Sequence, residues 1–76
     1  MNVTIQIALR SASQVSEIIK NIALDLGCEI TMVHSCEYEV EANHDDYTSP
    51  EDLMAEIETV LLDNGVNIED IAVLEA

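Results

Sequence analysis

"CEITMVHSCEYEVEA", residues 28 to 42, alternates apolar and polar side chains, and how it is divided decides the fold. Ile30 and Met32, then Tyr38, Val40 and Ala42, share one face if a three-residue loop at His34-Ser35-Cys36 joins two strands. A two-residue turn would instead set Met32 opposite Glu37 and bring charge onto the apolar face. The longer connection is therefore expected, and one long bent strand is the competing reading.

Upstream, Val3, Ile5, Ile7 and Leu9 alternate with Asn2, Thr4, Gln6 and Ala8, the period of a half-buried strand. "SASQ" follows, with Ser11 and Gln14 spaced as a capping box. Val15, Ile18, Ile19, Ile22, Ala23 and Leu26 then recur at helical spacing until Gly27, where a left-handed cap belongs. Downstream of a polar loop, Ser49-Pro50-Glu51-Asp52 supplies an N-cap, a proline at the first helical position and acids in the positive first turn. Leu53, Met54, Ile57, Val60 and Leu61 form the apolar stripe of this second helix, which Asn64-Gly65 ends. A last strand is expected from about Ile68 to Glu75.

The order β-α-β-β-α-β resembles the ferredoxin-like plan, an α+β fold with a four-stranded antiparallel sheet and two helices on one face. Residues 1–76 read as a single compact domain, small for a core unsupported by disulfides or metal. This plan hosts many unrelated functions, so function must be argued from the residues. Metal-carrying ferredoxin-like families use a Cys-x-x-Cys loop, and Cys28 and Cys36 lack that spacing. RNA-recognition modules place aromatic and basic residues on the middle strands, where this chain has Thr, Gln and Glu. Acylphosphatase-like enzymes need a phosphate loop after the first strand; Arg10 stands there, without the glycines of the cradle.

Charge is the most informative quantity. Sixteen Asp and Glu face only Arg10 and Lys20, for a formal net charge of −14, and no Lys or Arg follows Lys20. Such a chain repels nucleic acid and anionic membranes and attracts basic surfaces. The apolar fraction of 49% excludes a disordered acidic tail, and the absence of Phe and Trp leaves little on which bases stack. No apolar run approaches the roughly 18 residues of a membrane span, and the N-terminus lacks a signal-peptide pattern. A cytoplasmic protein with reduced thiols is expected, in the host cytoplasm if a phage encodes it.

Cys28, His34, Cys36 and His44 carry zinc-type atoms, but their spacing fits no established ligand pattern, and no metal or cofactor is expected. Paired carboxylates serve acid–base chemistry only in a concave pocket with unlike environments, so an enzyme is not expected either. The acids fall into two sets. Glu37, Glu39 and Glu41 share one strand face, with Asp45 and Asp46 in the following loop. Asp52, Glu56 and Asp63 line the solvent side of the second helix without the i,i+4 lysines that usually accompany such a stripe.

These eight residues are the expected partner-binding set. The expected function is a non-enzymatic protein that docks on a basic, nucleic-acid-binding protein and inhibits it as a nucleic-acid mimic. In size and charge the chain is similar to small phage inhibitors of the anti-CRISPR and anti-restriction kind. The alternative is a self-associating structural or regulatory module whose acidic surface is merely solvated, or biased by a high-salt habitat. A monomer or weak dimer is expected in the first case.

Overall fold

The computed structural model describes residues 1–43, 47 and 49–75. Strand β1 spans Asn2–Ile7, helix α1 Ala12–Leu26, β2 Glu29–His34, β3 Glu37–Glu41, α2 Pro50–Asp63 and β4 Ile71–Glu75. The strands form one antiparallel sheet in the order β2-β3-β1-β4, so the hairpin partners β2 and β3 lie side by side and β1 sits between β3 and β4. With both helices on one face, this is the α+β ferredoxin-like fold. No helix among the described residues is long and apolar enough to cross a membrane.

The period of two does the sorting in the sheet. Val3, Ile5 and Ile7 of β1, with Tyr38 and Val40 of β3, point toward the helices and are buried. Val15 and Ile22 of α1, and Leu53, Ile57 and Leu61 of α2, meet them from above, with Val66 closing one end. Transfer of such side chains from water, about 1.5–3 kcal/mol each when fully buried, is the main stabilising term. Gly27 closes α1 at φ 64°, where a Cβ would be strained, and its N–H donates to Ala23 O. Ser49 Oγ accepts from Asp52 N at 3.3 Å and caps α2, with Pro50 at the first turn as its spacing predicts.

Four local expectations are corrected. The β2–β3 connection has two residues, Ser35 and Cys36, and His34 belongs to β2. Met32 nonetheless lies opposite Tyr38, because the register shifts between Met32 and His34, which pairs with Glu37. A bulge on β2 thus supplies the extra residue that the three-residue loop was expected to supply.

Leu9 leaves the strand alternation: it sits in a 3₁₀ turn, Leu9–Ser11, and is 78% exposed. The capping box does not form, since Ser11 makes no side-chain cap and Gln14 Nε2 donates to Asn64 O across to the end of α2. β4 begins only at Ile71, because Ile68–Asp70 form a second 3₁₀ turn, capped by Asn67.

Ser11 is diverted by a charge. Its Oγ donates to Asp70 Oδ2 at 2.6 Å, while Arg10 Nε donates to Asp70 Oδ1 at 2.8 Å and Arg10 Nη2 pairs with the same oxygen. Asp70 is a buried carboxylate (7% exposed), so these donors, with Ala8 N on its backbone carbonyl at 2.7 Å, satisfy a group that would otherwise be costly there. Arg10, first among the causes, and Ser11 hold the Asp70 carboxyl below the usual carboxylate range against the opposing effect of burial. The knot joins the turn before α1 to the turn before β4.

Candidate functional site

The outward side chains of the sheet form the second face, which no element covers among the described residues. On β3 the alternation that buries Tyr38 and Val40 turns Glu37, Glu39 and Glu41 outward, about 6.8 Å apart along the strand. Because β3 lies inside the sheet, this column is flanked on both sides. Glu41 has Glu29 of β2 on one side and Asn2 of β1 on the other. Glu39 lies between Thr31 and Thr4, and Glu37 between His34 and Gln6. Leu74 and Ala72 of β4 extend the last two rows.

Glu29 is a fourth glutamate on this face. Directly opposed like charges destabilise a sheet, and Glu29 stands opposite Glu41 with no ion pair to either among the described residues. Among the described residues the one charged contact on the face is His34 Nε2 with Glu37 Oε1 at 4.0 Å, the outer limit for an ion pair and dependent on a protonated imidazole. Arg10 is committed to Asp70, and Lys20 lies exposed on α1 in the helix layer.

Concavity here is slight. A depression of about 70 Å³ lies among Asn2, Glu29, Thr31, Glu39 and Glu41, far below the several hundred Å³ typical of small-molecule sites. A wider, open hollow of about 430 Å³ at the sheet end is bordered by Met1, Gly27, Glu29, Glu41, Ala42 and Asn43. Among the described residues its lining pairs no nucleophile with a base, and the terminal amine there donates to Ala42 O at 3.0 Å. Chemically, the face offers carboxylates flanked by threonine, asparagine and glutamine. Such groups accept from lysine and arginine.

The expected partner-binding residues do not all come together. Glu37, Glu39 and Glu41 share the sheet face; Asp45 and Asp46 lie outside the described residues. Asp52, Glu56 and Asp63 are exposed on α2 as expected, but α2 turns its apolar side to the sheet and these acids to the far side of the molecule. The two acidic surfaces therefore face opposite ways. Glu29 was missed although the expected register already implies it: with Met32 opposite Tyr38, the pairing continues to Glu29 opposite Glu41.

The zinc-type residues do not converge among the described residues: no three His, Cys, Asp or Glu side chains are placed to hold a metal. His44 lies outside the described residues. Cys28 is a half-buried thiol whose pKa burial raises, and Cys36 N donates to His34 Nδ1 in the turn. No family model, curated protein or solved structure matches the chain.

Proposed function

We propose that the protein is a non-enzymatic binding module whose open sheet face docks on a basic, nucleic-acid-binding protein and blocks it. The observation that carries this reading is the set Glu29, Glu37, Glu39 and Glu41 on one face, with Glu29 and Glu41 directly opposed and making no ion pair among the described residues. Folding gains nothing from that opposition, whereas a partner's lysine or arginine placed over it gains two carboxylates at once.

Duplex DNA presents a phosphate about every 3.4 Å per strand, so the β3 column alone has half that density; Glu29 thickens it on one side. Mimicry of this kind displaces nucleic acid by occupying a few phosphate-binding side chains.

The test is affinity capture of basic proteins with two charge-matched variants. Glu37→Lys, Glu39→Lys and Glu41→Lys together change the net charge by the same amount as Asp52→Lys, Glu56→Lys and Asp63→Lys together. The sheet-face variant should lose capture and the α2 variant should largely keep it. Equal loss in both would reduce the effect to net charge, and unchanged capture by the sheet-face variant would remove this face from the account.

Self-association is the second reading, favoured by the exposure of Met32 and Val33 on β2, 62% and 50%. Light scattering at low salt separates the two. A tight dimer supports self-association and a monomer supports docking on a partner.

A further inference from the structure

The two edges of the sheet are not alike. In the β1–β3 register, Met1 and Ala42 exchange hydrogen bonds and Ile7 N donates to Cys36 O, so Tyr38 and Val40 aim their backbone groups at β1. Glu37, Glu39 and Glu41 then aim theirs at β2, where Glu29 and Thr31 lie opposite the latter two. By the same alternation, the N–H and C=O of Ile30 and Met32 point away from the sheet, and no hydrogen bond from the described residues reaches them.

The side-chain layer beside this edge is also unfinished. Met32 is on the helix side of the sheet yet 62% exposed, because the α1 residues beside it are small. A hollow of about 150 Å³ remains between Met32 and the small residues Ala12, Ser13 and Ser16 of α1, floored by Tyr38. At the other edge, Ile71 and Val73 of β4 are half-buried and pack against the core. Edge strands are commonly blunted by lysine, proline or a bulge. Between Glu29 and Met32, β2 has none of these, since its bulge lies beyond Met32 at the hairpin end.

We propose that β2 is the docking edge for an extended basic segment of the partner, which adds as a fifth strand alongside Ile30 and Met32. The segment alternates apolar and basic residues. Its apolar side chains lie over Met32 and the hollow under α1, and its lysines or arginines emerge on the open face beside Glu29. From there they reach Glu41, which opposes Glu29 and makes no ion pair among the described residues. Main-chain pairing gives such strand addition its affinity and the alternate side chains give its specificity. Charge selects this occupant over a second copy, because two chains of net charge −14 repel. The inference rests on the acidic face docking a basic protein, and adds the mode of attachment.

The test follows backbone amide exchange in the full chain by NMR, titrated with a synthetic peptide of about eight residues in which Lys and Val alternate. A peptide of the same composition in block order, and an alternating peptide N-methylated along one edge, are the controls. At saturation the alternating peptide should slow exchange at Ile30 and Met32 by about tenfold or more, leaving Glu29 and Thr31 little changed. The controls should not do so, and Met32→Lys should weaken binding of the alternating peptide.

Binding without that slowing, or no binding up to millimolar peptide, overturns strand addition. If the charge-matched capture experiment still singles out the sheet face, docking then survives without it. Slowing that appears without peptide and grows with protein concentration assigns the edge to a second copy and overturns the proposal.

Discussion

Asp70 and Glu41 are both acids set against the same sheet, and their surroundings differ in every respect that matters. Asp70 is buried, takes hydrogen bonds from Arg10 and Ser11, and ties two turns together across 60 residues of sequence. Glu41 is exposed, faces Glu29 and makes no ion pair among the described residues, although the terminal amine borders the same hollow. Of the chain's one Arg and one Lys, Arg10 pairs with the acid that folding buries, and neither pairs with an acid of the open face among the described residues. Where an acid holds the fold together it is paired. Glu29, Glu39 and Glu41 on the open face make no ion pair among the described residues.

The sharpest way to break this contrast is to remove each acid in turn. Asp70→Ala should lower the melting temperature more than any single glutamine substitution at Glu29, Glu37, Glu39 or Glu41, because it leaves Ser11 Oγ and the Arg10 head without their acceptor. Ser11→Ala should be destabilising in the wild type and nearly silent in an Asp70→Ala background, a coupling that a double-mutant cycle reads directly. A cap at Ser11 would predict additive losses.

Next in size is the response to acid. The folded-state pKa of Asp70 is depressed, so its contribution is present above the unfolded carboxyl value of about 3.9 and is lost as pH falls through its lower folded value. Urea midpoints should fall below about pH 4 in the wild type, and part of that fall should be missing in Asp70→Asn. Identical acid limbs would separate Asp70 from acid unfolding.

On the open face the sign reverses. Glu29→Lys should stabilise by about 0.2–1 kcal/mol, by turning a like-charge pair with Glu41 into an opposite one. Glu29→Lys combined with Glu41→Lys should lose that coupling. A destabilising Glu29→Lys would show that the face contributes to folding after all. Smallest is the effect of salt on the wild type: added sodium chloride should raise the melting temperature modestly by screening self-repulsion, despite weakening the Arg10–Asp70 pair. A flat response would contradict the imbalance of charge.

Much of this architecture is local and therefore legible in the sequence. The caps at Ser49 and Gly27, the apolar stripe of α2 and the buried set of β3 each depend on neighbours within a turn or a strand. The face carrying Glu37, Glu39 and Glu41 follows from the same period of two.

What depends on distant pairing is not legible in this way. Ser11 has the local pattern of a helix cap, but a carboxylate 59 residues away takes its hydroxyl. The bulge between Met32 and His34 likewise breaks the period of two that the sequence shows. Asp52, Glu56 and Asp63 follow Glu41 in the chain and yet face the opposite way, because α2 lies in the helix layer.

The most direct test of the account is displacement of nucleic acid from a captured basic partner, followed by fluorescence anisotropy of a labelled oligonucleotide. Wild-type protein should release the oligonucleotide, and the variant carrying Asp52→Lys, Glu56→Lys and Asp63→Lys should release it too. The variant with lysine at Glu37, Glu39 and Glu41 should not. Release by the sheet-face variant at the wild-type concentration, or loss of release in the α2 variant alone, would contradict docking through the open sheet face.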